Sequence, residues 1–167
     1  MKQLILLALV SMGIFACTAP IDNKEKESLE VVKKYMNAVE TNDVEAMTAL
    51  LADNYKGYGP SVSDSTTKEE ALNNWKQNVA TLYESVKYSR FENVALKIPE
   101  GEEARPGYWV SNWALVTIKY KDGRGPVEIW LNAVYMIENG KIVLSRTAYN
   151  EADVLRQLGY EFIAPVK

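Results

Sequence analysis

Two carboxylates, a set of aromatic and hydroxyl-bearing side chains and one thiol carry the chemistry this chain can offer. Asp64, in the polar stretch 61–66 behind Gly59-Pro60, and Glu128, at the start of an apolar run, are the candidate catalytic acid/base groups. Tyr35, Trp75, Trp113, Thr117, Trp130, Asn132, Thr147 and Tyr149 are the candidate ligand contacts: rings that can wall a cavity, and neutral groups that can donate to an oxygen. Plainer readings stand beside these. Asp64 can be a solvated loop aspartate, and Glu128 a cross-strand partner of Lys119 worth under about 1 kcal/mol. The rings can be core, and Asn132 can simply bond Thr147. Arg146 has no evident role.

Composition narrows the chemistry further. The 167 residues include no His and one Cys, so neither a Ser-His-Asp nor a Cys-His nucleophile system can be built. A His-ligated metal site and a cysteine-held cluster are excluded likewise, and no metal or cofactor is expected. Nineteen Lys+Arg against 22 Asp+Glu give a net charge of -3 with scattered basic residues, which argues against nucleic acid as a partner.

The first 16 residues read as an export signal. Lys2 precedes a mostly apolar run from Leu4 to Ala16, too short for a membrane span. Ile14-Phe15-Ala16-Cys17 resembles the lipobox of bacterial lipoproteins, with Phe15 unusual in its place. The resemblance implies cleavage before Cys17 and a lipid on its thiol. An ordinary signal peptide with an incidental Cys is the alternative. Residues 17–28 are polar and read as a flexible tether, and 29–167 as one domain. Thr18 is not acidic. In organisms that resemble the enteric bacteria in sorting, that implies a bacterial cell-envelope protein anchored in the outer membrane and facing the periplasm.

The elements that must position the candidates follow from periodicity. Leu29, Val32, Met36 and Val39 have helical spacing. Asn42, with Glu45 three residues on, reads as a capping box for a short second helix through Leu51. Thr67 and Glu70 form another, opening a third helix with Leu72, Trp75, Val79, Leu82 and Val86 on one face. Residues 55–58 read as a short strand, and 88–98, 109–121, 127–138 and 141–150 as long ones. Asn139-Gly140 is a two-residue hairpin turn, and 152–158 a closing helix ended by Gly159.

The hairpins predict registers. A loop at 122–125 makes paired numbers sum to 247, and a turn at 139–140 makes them sum to 279. Lys119 then faces Glu128. One face carries the rows Trp113–Val134–Ser145, Leu115–Asn132–Thr147 and Thr117–Trp130–Tyr149, aromatic with polar groups. The other carries Val116, Ile118, Ile129, Leu131 and Arg146, mostly apolar. The first is expected to line a cavity. The second is expected to meet a second copy in a homodimer, because it would otherwise be an exposed apolar patch.

The segments Tyr35-Met36-Asn37-Ala38-Val39-Glu40-Thr41-Asn42-Asp43, Leu50-Leu51-Ala52-Asp53-Asn54-Tyr55, and Glu138-Asn139-Gly140-Lys141-Ile142 with Ala148-Tyr149 and Gln157-Leu158-Gly159 resemble the NTF2-like superfamily, and within it SnoaL-like and ketosteroid isomerase-like proteins. The resemblance spans 29–160. It implies an α+β, cystatin-like cone: three N-terminal helices on a curved antiparallel sheet. By the isomerase pattern, Tyr35 is an oxyanion donor, Asn132 stands for the second donor, and Tyr149 is a pocket wall. The pattern's general base falls on Gly59, which has no side chain to serve. The expected function is therefore lipid-anchored binding of a small apolar or carbonyl-containing molecule, without catalysis. The alternatives are a lyase, isomerase or cyclase acting on a carbonyl compound, and an assembly module whose cavity is filled core.

Overall fold

The computed structural model describes residues 22–163; the stretch read as an export signal and Cys17 lie outside them. Helix α1 (Asn23–Thr41) begins with a capping box. Asp22 accepts from the Lys24 amide, and Glu25 reaches back to the Asp22 amide. The stretch read as tether is thus helical from Asn23, and Ser28 is buried, its hydroxyl donating to the Lys24 carbonyl. Val32, Met36 and Val39 lie on the buried face, as their spacing predicts.

Asn42 does not cap the second helix. It ends α1 in the left-handed conformation, φ 57°. Asp43 caps α2 (Val44–Leu50) instead, accepting from the Ala46 amide at 2.8 Å. Leu51 opens strand β1 (Leu51–Tyr58), longer than predicted, and β2 (Ser65–Thr67) lies in the stretch read as loop. Helix α3 (Lys68–Thr81) has the predicted Thr67/Glu70 capping box but stops short of Val86, which is buried in β3. The sheet continues with β3 (Tyr83–Ile98), β4 (Gly107–Tyr120), β5 (Val127–Glu138) and β6 (Lys141–Tyr149), and α4 (Glu151–Gln157) closes the fold. No helix among the described residues is long and apolar enough to cross a membrane.

The six strands form one sheet in the order β2-β1-β6-β5-β4-β3, antiparallel except where β1 runs parallel to β6. The Asn139-Gly140 turn is as predicted, with Glu138 opposite Lys141 and positive φ at both turn residues. Two registers differ. In β4–β5, Trp113 pairs Asn132 and Thr117 pairs Glu128, a shift of two that keeps faces together. In β5–β6 the ladder slips by one residue between Ile137–Ile142 and Met136–Leu144. This is a bulge, and a slip of one exchanges faces for everything beyond it.

Beyond the bulge, Ser145, Thr147 and Tyr149 therefore share a face with Tyr135, Ala133 and Leu131, whereas Val134, Asn132 and Trp130 face the other way. The helices cover the first of these faces. Val32, Met36 and Val39 of α1 and Met47 of α2 pack with Val110, Ala133, Tyr135 and Ile137. Val116 and Ile129, predicted to meet a second copy, are 2% and 5% exposed beneath α3 and α4. The aromatic face is the outer one: Trp113 is 43% and Trp130 59% exposed. For β4 and β5 the two faces are the reverse of the prediction, whereas Ser145, Thr147 and Tyr149 of β6 keep the cavity side.

Candidate functional site

Between helices and sheet lie two adjoining chambers. The inner one, about 270 Å³, is walled by α1 through Tyr35, by α3 through Asn74, Trp75 and Asn78, and by the sheet through Tyr55, Tyr88, Leu131 and Tyr135. The outer one, about 550 Å³, opens at the β1–β2 edge, among Tyr58, Gly59, Asp64 and Tyr149. Tyr55, Asn74, Ser145 and Thr147 line both. Their shared wall is held by a buried hydrogen bond of 2.6 Å between Tyr55 Oη and Ser145 Oγ.

The inner lining mixes apolar side chains, among them Val39, Met47 and Leu131, with uncharged polar ones. Burial pushes the Tyr35 and Tyr135 hydroxyls well above the usual phenol range. It lifts Tyr88 to about 12, with the Glu40 carboxylate adding to the effect. Burial also raises Tyr55, partly offset by its bond to Ser145. All four stay protonated near neutrality and can serve as donors. Glu40 does not line the chamber; its Oε1 accepts the Tyr88 backbone N–H at 2.7 Å. In the wall, the buried Trp75 Nε1–H has no hydrogen-bond partner among the described residues.

Asp64 is the carboxylate of the outer chamber. A short turn fixes it: its amide donates to the Ser61 carbonyl at 3.0 Å, and its Oδ2 accepts from the Ser61 amide at 3.3 Å. A Cβ at Gly59 would lie 2.7 Å from Asp64 Oδ2, so the space beside Gly59 is filled by that carboxylate. Burial raises the Tyr149 hydroxyl in the same chamber, and Glu151, Tyr83 and Asp64 reinforce the effect.

Of the predicted ligand contacts, the structure gathers Tyr35, Trp75, Thr147 and Tyr149 on the two chambers. It puts Trp113, Thr117, Trp130 and Asn132 on the outer face, because the bulge in β6 reverses which strand positions share a side with Thr147 and Tyr149. Asn132 Nδ2 donates to the Asn112 carbonyl at 3.1 Å, and Asn132 does not line the chamber that Tyr35 lines. Glu128 is likewise exposed on the outer face. It faces Thr117, not Lys119, accepts from the Thr117 hydroxyl at 3.3 Å, and its backbone is clasped by Gln157 of α4. Arg146 has a role there: its guanidinium lies 5.5 Å over the Tyr58 ring. Ser145, in the first of the rows expected to line the cavity, does line both chambers, whereas sequence reasoning missed Tyr55, Tyr88, Tyr135, Asn74 and Asn78. Asn78 carried a usable signal, since it lies three residues after Trp75, and Asn74 lies four before Asn78.

Residues 32–145 match the family model described as SnoaL-like domain. No curated protein gives a significant match. Among solved structures, a Bacillus subtilis protein provisionally named an isomerase aligns with TM-score 0.65 at 17% identity, over 86% of this chain and 100% of that one. An NTF2-like protein of unknown function from Burkholderia pseudomallei K96243 aligns with TM-score 0.63 at 14% identity, over 80% and 98%. An LEH-like epoxide hydrolase of M. tuberculosis aligns with TM-score 0.57 at 18% identity, over 80% and 90%. At these identities the likeness is one of fold.

Proposed function

The chain belongs to the SnoaL-like domain family, with its NTF2-like α+β fold, and from that premise we propose that it binds a small molecule without transforming it, as a lipid-anchored protein of the bacterial cell envelope. The observation that carries the binding reading is the inner lining. It offers phenols, amides and an indole, but no carboxylate, amine, thiol or imidazole to shuttle a proton. Such a site can hold and orient a ligand oxygen. Calorimetry with a flat cyclic enone on the full chain, with the recovered ligand checked by mass, tests it. Binding with unchanged ligand is expected; turnover would overturn the non-catalytic part.

One observation favours a second reading, catalysis. The position that matches the isomerase base is Gly59, and the Asp64 carboxylate fills the space beside it. A base displaced five residues along the chain would serve a substrate reaching from the inner to the outer chamber. If the protein converts a β,γ-unsaturated ketone, Asp64→Asn should remove about 10²–10⁴-fold of the rate while sparing affinity.

The anchor and the partner belong to the same proposal. Cys17→Ser should release the protein from membranes or leave it unprocessed; normal cleavage with continued sedimentation would overturn lipidation. The outer sheet face, with Val94, Leu96, Trp113 and Trp130 exposed, supports pairing with a second copy. Sedimentation should show a dimer at tens of micromolar, and a clean monomer would end this part of the reading.

A further inference from the structure

We propose that the outer chamber is a site for a neutral polyhydroxylated molecule, a sugar or a cyclitol, recognised by hydroxyls set around the Asp64 carboxylate. The inference goes beyond the binding reading above, which rests on the inner chamber. It starts from two glycines. Gly57 pairs with Ser145 on the helix-covered side of the sheet, and Gly59 follows it two residues on. A Cβ at Gly57 would lie 2.7 Å from Thr66 Oγ1, and one at Gly59 would lie 2.7 Å from Asp64 Oδ2. The missing side chains leave room for a hydroxyl and a carboxylate to lie over the sheet instead of pointing into solvent. Thr147 and Tyr149 stand on the same side of β6 as Ser145, and all of these residues line the chamber.

This lining selects among ligand classes. A hydroxyl both donates and accepts, so a ligand rich in hydroxyls can pair with every one of these groups. An apolar ligand would strip water from them and leave them unpaired, which is costly. Asp64 is the one charged side chain of the lining, and no Lys or Arg stands beside it there, so an anion is repelled. An ammonium gains little, because Asp64 is exposed and exposed ion pairs are weak. A carboxylate offers about four acceptor positions. The Ser61 amide takes one of them, on Oδ2, and neighbouring hydroxyls of a polyol suit the rest. The half-buried Tyr149 ring gives the carbon skeleton an apolar surface. About 550 Å³ is the share of roughly eighteen waters, so a hexose of about a dozen heavy atoms fits.

Calorimetry on the full chain tests this with glucose, galactose, mannose and myo-inositol. Cyclohexanol serves as a ring with a single hydroxyl, and glucosamine as a charged sugar. At least one of the polyols should bind about tenfold tighter than cyclohexanol, the equivalent of about two net hydrogen bonds. Glucosamine should stay within about fivefold of glucose. Tyr149→Phe and Asp64→Asn should each weaken the polyol about fivefold and leave cyclohexanol unchanged. In the unmodified protein, the backbone amide resonances of Thr66 and Tyr149 should move with the polyol, a readout that needs no variant to fold. No polyol tighter than cyclohexanol, glucosamine more than about fivefold tighter than glucose, unmoved resonances, or variants that bind the polyol as the parent does would each overturn the inference. A cyclic enone that still binds in those cases would keep the inner-chamber reading, so the two can fail separately.

Discussion

Gly57 keeps the wall between the two chambers in place, and adding one methyl there should break it. A Cβ at Gly57 would stand 2.6 Å from Tyr55 Oη and 2.7 Å from Thr66 Oγ1. Thr66 is half-buried and its side chain can turn away. Tyr55 cannot, because it is 6% exposed and its hydroxyl is fixed to Ser145. Gly57→Ala must therefore displace the Tyr55 ring and strand the Ser145 hydroxyl. Overpacking of this kind costs about 1–3 kcal/mol, and the lost hydrogen bond about 0.5–1.5 more. A total near 2–4 kcal/mol should appear as a lower midpoint in urea unfolding followed by tryptophan fluorescence. The decisive measurement is the double variant. Tyr55→Phe removes the atom that clashes, so Gly57→Ala made in that background should cost at least about 1 kcal/mol less than in the wild type. Strict additivity, or a Gly57→Ala protein as stable as the parent, would refute the account.

Two further outcomes are expected. Tyr35, Tyr88 and Tyr135 are harder to ionise folded than unfolded, so their contribution to stability is present below the ordinary phenol value of 10 and is lost as pH rises toward about 12; in an alkaline titration exposed rings should ionise first in the folded chain, the last phenolates should appear together with loss of helix signal, and full ionisation of every tyrosine in a folded chain would contradict the burial argument. Tyr108→Phe removes the 2.8 Å bond to Asp22 that lowers that carboxyl, and should speed amide exchange in the first turn of α1 while leaving the global unfolding midpoint nearly unchanged.

Much of the fold was legible because local chemistry and tertiary structure agree. Thr67 and Glu70 announce α3 by two reciprocal hydrogen bonds that need no partner from elsewhere. Asn139-Gly140 announces its turn because both residues tolerate positive φ. The end of α3 was not legible: Leu82 and Val86 continue the helical spacing, and only pairing of Tyr83 with Tyr120 draws the chain into the sheet. The candidate site was half legible for one reason. Ile142-Val143-Leu144-Ser145 reads as uninterrupted strand, with no Gly or Pro to mark the bulge. That bulge decides which strand positions share the chamber with Thr147 and Tyr149. Residues placed by helices, Tyr35 and Trp75, were unaffected, whereas Trp113, Trp130 and Asn132 were carried to the wrong side.

The early start of α1 has a consequence for how the protein would stand on a membrane if Cys17 carries the proposed lipid. Asp22 is moored to the end of β4 by Tyr108, whose ring also lies beneath the ammonium groups of Lys24 and Lys97. Four residues separate Cys17 from Asp22. With a lipid on Cys17, as proposed, the leash is about 18 Å at full stretch, half of what a tether running to Ser28 would allow. The pole bearing the Asn139-Gly140 turn would then be the foot of the protein. Tyr149, at the outer chamber, lies eight residues up β6 from Lys141, roughly 26 Å higher by strand rise. The foot carries both signs, Glu100, Glu102 and Glu103 beside Lys24, Lys97 and Lys141, so its charge gives an anionic headgroup layer no strong hold. So short a mooring would make the protein a post rather than a float. Its cargo would be exchanged with the water above the bilayer, not drawn from the lipid beneath.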